Sequence, residues 1–149
     1  MKQKRMLWGI LFLTALIATH CAEQKPAEQK EIAWMTDLRS ALYKASTEKK
    51  PVMIDFMATW CPPCKAMEDS TFNQPEVIER AGRFITLRID VDRQPEVAKK
   101  YKSNAQKYGG IGIPNILFLT PGEKEIAHPI GYLSPERMTA IMDSVLQSL

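Results

Sequence analysis

Apolar residues are spaced along this chain in blocks of differing period. Met6 to Ala18 is a 13-residue apolar run broken only by Thr14. From Ala33 to Glu48, Trp34, Leu38, Ala41, Leu42 and Ala45 recur at the spacing of one helical face, which predicts an amphipathic helix. Val52 to Met57 is a short, nearly continuous apolar run, the pattern of a strand buried on both faces, with Asp55 as the anomaly inside it. Helix is expected again from Lys65 to Asp69 and over Pro75 to Ala81, which has proline at its start and Gly82 at its end. Arg83 to Val91 alternates as a strand, and Pro95 to Lys102 is helical. Ser103 to Gly112 is a polar, glycine-punctuated loop. Asn115 to Leu119 is a strand, Pro121 to Lys124 a turn, and Glu125 to Gly131 an edge strand. Ser134 to Leu149 is a final helix with Ser134 as N-cap and Pro135-Glu136 in its first turn. This order predicts an α/β fold, a central mixed sheet with helices on both faces and an extra helix at the N-terminal end.

Charge changes the picture at the N-terminus only. Lys2, Lys4 and Arg5 precede the apolar run, whereas beyond residue 21 the remaining 17 Lys and Arg are matched by 17 Asp and Glu. A balanced domain has no long-range positive field, so nucleic acid is not an expected partner. The basic start and the 13-residue run have the proportions of an export signal. A bilayer span needs about 20 residues, which leaves an uncleaved anchor as the alternative. Ala18-Thr19-His20-Cys21 loosely resembles a lipoprotein cleavage site, departing from it at His20. Cys21 is thus a candidate lipidation site, the alternative being ordinary cleavage near it. The reading divides the chain into a signal (1–21), a polar linker (22–32) and one domain (33–149), working outside the cytoplasm where disulfides persist.

The chemistry concentrates in Trp60-Cys61-Pro62-Pro63-Cys64-Lys65, where a buried strand hands over to a helix. Cys61 at a helix N-terminus meets free N–H groups and the positive end of the dipole, which stabilise a thiolate. Cys64 lies one turn further on the same face and can close a small disulfide with it, a reversible two-electron switch. Cys61 would attack a target disulfide; Cys64, more buried and with the higher pKa, would then resolve the mixed disulfide. Two other uses of such a pair stay open. A zinc site needs two further ligands, and outside the pair the chain offers His20, Cys21 and His128; a structural disulfide is the second. Covalent haem attachment is excluded, since residue 65 is lysine rather than histidine. No metal or cofactor is expected.

Val52 to Lys65 followed by Gly112-Ile113-Pro114 resembles the thioredoxin superfamily over Lys50 to Leu149. The lead-in to Asp55, the Met67-to-Phe72 run and the leading helix are most similar to the C-terminal domain of DsbD electron transporters and free-standing relatives. The resemblance implies a thioredoxin-like fold and several site roles. Asp55 corresponds to the family's buried carboxylate, its pKa raised by desolvation, which takes the proton of the resolving cysteine. Pro114 corresponds to a cis-proline facing the sulfurs, and Ile113 before it offers backbone hydrogen bonds to an extended substrate segment. Trp60, Pro62, Pro63, Ile113 and Gly131-Tyr132 would form the rim that touches partners, the alternative for Tyr132 being that it simply packs. Two departures stand out: Met57 replaces a tryptophan, and Thr86 occupies the position of the lysine often found near the buried acid. The loop from Asn104 to Gly110 is also longer than a minimal thioredoxin has.

Pro62 and Pro63 carry no N–H, so two donors that could have faced the Cys61 sulfur are missing. A less stabilised thiolate makes a more reducing couple, nearer thioredoxin (on the order of −270 mV) than the oxidant DsbA (about −120 mV). The expected function is an exported protein-disulfide reductase or isomerase, a monomer recharged by a membrane electron donor of the DsbD type and acting on disulfide-containing exported proteins. A dedicated reductant for cytochrome c maturation and a non-catalytic binding or chaperone module are the alternatives. A peroxidase is disfavoured, because the usual environment of its reactive cysteine, with a threonine and an arginine nearby, is not evident.

Overall fold

The computed structural model describes residues 31–149; the candidate signal, its lipidation site Cys21 and all but the end of the linker lie outside them. Helix α1 (Leu38–Glu48) leads into strand β1 (Val52–Met57) and then α2 (Pro62–Ser70) and α3 (Pro75–Ala81). Strand β2 (Ile85–Asp90), α4 (Pro95–Lys100), β3 (Asn115–Leu119), β4 (Glu125–Ala127) and α5 (Pro135–Gln147) complete the order. The sheet runs β2-β1-β3-β4. The pair β1–β2 is parallel, whereas β1–β3 and β3–β4 are antiparallel. Val52, Ile54 and Phe56 face Ala41 and Ala45 of α1 and Ala98 of α4. Met53, with Ile116 and Phe118 of β3, meets Met67 of α2, Val77 and Ile78 of α3, and Met138 and Met142 of α5. Both faces of β1 are therefore dry, which accounts for its unbroken apolar run and makes Asp55 conspicuous. Among the described residues no helix is long and apolar enough to cross a membrane.

Three helices begin where proline stands in the first turn after an extended residue, and α5 is capped by Ser134, whose hydroxyl accepts the Arg137 N–H, as expected. The first helix is shorter than its periodicity suggested. Asp37 accepts the Ser40 N–H at 2.8 Å and starts α1 at Leu38. The residues before it form an extended strap along the outer edge of β2, with Met35 bridged to Leu87. Helix α4 likewise stops at Lys100, since Lys102 takes a positive φ of 55°. Strand β4 ends at Ala127 rather than Gly131 because Pro129 has no N–H to give; its carbonyl accepts from Ile116, and a lone bridge joins Asn115 to Ile130.

Candidate active site

Cys61 and Cys64 form a disulfide with an S–S distance of 2.05 Å. Cys61 is the N-cap of α2, held between the end of β1 and the first turn. Because residues 62 and 63 are prolines, the first N–H of the helix is that of Cys64, and it donates to Cys61 Sγ at 3.3 Å. One amide therefore does face the sulfur. Burial does not separate the two cysteines as expected: Cys61 is 3% exposed and Cys64 6%, because both pack into the core layer under α1 and α4. They differ in their neighbours. Cys64, together with Asp55, Met57, Lys65, Glu68 and Arg88, lines a cleft of about 250 Å³ open to solvent.

Asp55 is 2% exposed, and burial pushes its carboxyl up to about 6 against the opposing pull of Arg88. Parallel pairing sets Asp55 beside Arg88 on β2, and Arg88 Nε donates to Asp55 Oδ2 at 2.9 Å. Arg88 Nη2 also lies 2.6 Å from Glu68 Oε2, attracted by charge without an aligned hydrogen bond. Arg88 thus supplies a cation beside the buried acid, although Thr86 stands at the lysine position. Thr86 pairs with Met53, one step along the same face, and its hydroxyl donates to Ala33 O. Arg88 and Glu68 were missed by sequence reasoning. The available signal was the alternation of Thr86, Arg88 and Asp90 with Ile85, Leu87 and Ile89, which puts three polar residues on one face of a strand.

The Ile113–Pro114 peptide bond is cis. Ile113 is half-buried against the layer that contains both cysteines, and the Gly131 N–H donates to Pro114 O at 2.8 Å, which brings Gly131-Tyr132 beside the proline. Gly131 has a φ of 90°, a conformation in which a side chain would be strained. Pro62 and Pro63 are exposed, as are Trp60 and Tyr132. Trp60 donates its indole N–H to Asp92, and Lys107 Nζ lies 3.7 Å above its ring, so the long loop packs on the rim. Tyr132 does not pack into the core; its hydroxyl meets Ser70 at 2.9 Å. His128 contacts Ser103 and Asn115 instead of joining the cysteines. No cluster of side chains suited to a metal ion occurs among the described residues.

A family model described as thioredoxin-like matches residues 33–121. The chain belongs to the thioredoxin-like family. It is 33% identical over 97 residues to a thioredoxin of Acidithiobacillus ferridurans, 65% of this chain and 81% of that protein. It is also 33% identical over 129 residues to the thiol:disulfide interchange protein DsbD of Vibrio cholerae, 77% of this chain but only 21% of that much longer protein. Among solved structures, the reduced C-terminal domain of Neisseria meningitidis DsbD superposes with a TM-score of 0.57 at 28% identity, covering 75% of this chain and 94% of the domain. The family membership and the Cys61–Cys64 disulfide support a thiol-disulfide oxidoreductase.

Proposed function

We propose that this chain is an exported protein-disulfide reductase that also supports isomerisation, with DsbD-type membrane donors as its source of electrons. The observation that carries this reading is a disulfide capping α2 with a buried carboxyl opening on the same cleft as its second cysteine. In the reduced protein, the Cys61 thiolate attacks a sulfur of a target disulfide. One target cysteine leaves as thiolate and the other is held in a mixed disulfide. Asp55 accepts the proton of Cys64, and the Cys64 thiolate attacks Cys61 Sγ. The second target thiolate leaves, and the target has gained the two electrons that the Cys61–Cys64 pair lost. The rim formed by exposed Trp60, Pro62, Pro63 and Tyr132 and half-buried Ile113 holds the extended target segment. The missing amides of Pro62 and Pro63 limit stabilisation of the Cys61 thiolate and favour the reducing direction.

Equilibration of the purified full chain against glutathione, with thiol counting, tests the direction. A potential near or below about −230 mV is expected, and one above about −150 mV reverses the electron flow. Cys64→Ser should accumulate mixed disulfides with its targets. An unreacted variant would instead favour a binding module.

A further inference from the structure

Arg88 sits in a box whose four sides come from four segments. Asp55 of β1 is 2.9 Å from its Nε and Glu68 of α2 is 2.6 Å from its Nη2. Its Cζ lies 4.3 Å from the ring centroid of Trp34 in the N-terminal strap and 5.4 Å from that of Phe72 after α2. The two rings meet edge to face at 5.2 Å. The strap is itself tied to the strand that carries Arg88. Met35 N–H donates to Thr86 O at 2.9 Å, Arg88 N–H donates to Met35 O at 2.8 Å, and Thr86 Oγ1 donates to Ala33 O at 2.7 Å. Trp34 is thereby fixed between two residues hydrogen-bonded to the backbone or side chains of β2. An arginine free to swing would lose little by pointing into water; one stacked on aromatic faces keeps a single direction.

We propose that the Trp34–Phe72 clamp makes Arg88 a positioning residue for proton transfer at Asp55, so that the strap preceding α1 sets the pH range over which Cys64 is deprotonated. The inference rests on the reading of Asp55 as proton acceptor. The charged and titratable groups around Asp55 are Arg88 from β2 and Glu68, Lys65 and Cys64 from α2; its partner on β3 is Ile116. Arg88 favours the carboxylate, whereas burial and Glu68 favour the acid. Without a held Arg88, Asp55 stays protonated to higher pH and the resolving step loses its base near neutrality.

The experiment follows Asp55 in the full-length oxidised protein by carboxyl carbon NMR, and the decay of a Cys61 mixed disulfide with a small aromatic thiol against pH. Arg88→Gln should move both midpoints up by about one pH unit, which slows resolution below the midpoint about tenfold. Trp34→Leu should move them the same way by a smaller amount, and Trp34→Phe should restore them. Glu68→Gln should move them down. If Arg88→Gln fails to fold, Arg88→Lys, which keeps the charge but not the flat stacking surface, should still give an upward shift. Midpoints that stay fixed in the Arg88 and Trp34 variants overturn the inference. A resolution rate unchanged by Asp55→Asn overturns the proton-acceptor reading instead, and the NMR midpoints tell the two failures apart.

Discussion

Two polar clusters flank the disulfide end of the sheet, and they are built on opposite rules. On the β2 side, Asp55, Arg88 and Glu68 bring three ionisable groups to a cleft reached by solvent. On the β3 side, Asn115 is fully buried and donates to Gly112 O at 2.7 Å and Ser103 O at 3.4 Å. His128 Nε2 lies 2.9 Å from Asn115 Oδ1 and 3.2 Å from Ser103 Oγ, and burial holds its pKa below 6.5. That second cluster is uncharged near neutrality and closed by its own hydrogen bonds, and it ties the long loop to the strand that follows Pro114. The first leaves Arg88 Nη2 without an aligned hydrogen bond and raises the pKa of its acid. A buried group that must exchange a proton has to be reachable and near its midpoint, while one that only holds a loop is best neutral and fully paired.

The largest test of this contrast is Asp55→Asn. Disulfide reduction should fall about 100-fold or more, in the range for loss of a general base. The folded protein should at the same time gain about 1–3 kcal/mol at pH 7, read by urea denaturation of the oxidised form. The sign follows from the raised value. Asp55 goes from 3.8 to about 6 on folding, so its contribution is fully present below about pH 4 and is lost as pH rises through about 6. A variant that loses activity and stability together would place Asp55 with the structural cluster instead.

Asn115→Ala is the mirror experiment. It strands the Gly112 and Ser103 carbonyls and should cost about 2–3 kcal/mol in the same denaturation series. The activity that remains should keep the wild-type dependence on pH, because no charge is removed. A displaced pH profile would mean that the two clusters are coupled across the sheet.

The smallest effect belongs to His128→Gln. With a folded pKa below 6.5, His128 contributes stability that is full above that value and declines as pH falls through it toward the folded pKa. The wild-type curve of stability against pH should therefore rise toward 6.5 from this group and fall between about 4 and 6 from Asp55. His128→Gln should remove the first slope and leave the second.

Several of these features are written locally in the chain. The turn between β1 and α2 is specified by Cys61-Pro62-Pro63-Cys64, because two prolines can begin a helix but cannot continue a strand. The starts of α3, α4 and α5 are legible in the same way. Asp55 announces itself as the one ionisable residue in an apolar strand. Its cation could not be read with equal ease. Thr86 and Arg88 occupy the same face of β2 two residues apart, and only the pairing of Asp55 with Arg88 selects between them. Trp34 fits a helical stripe just as well as a strap. Its place was settled by Asp37, which caps the helix after it, and by the free edge of β2 that Met35 pairs with.

The sequence by itself determined the sheet-and-helix order, the redox pair and its position at a helix start, since these depend on side-chain period and on backbone constraints within a few residues. Tertiary structure alone decided which charge stands beside Asp55, which ring holds that charge, and that both cysteines are equally buried. These depend on strand register and on the layering of helices over the sheet, where residues 33 or more positions apart come within hydrogen-bonding distance.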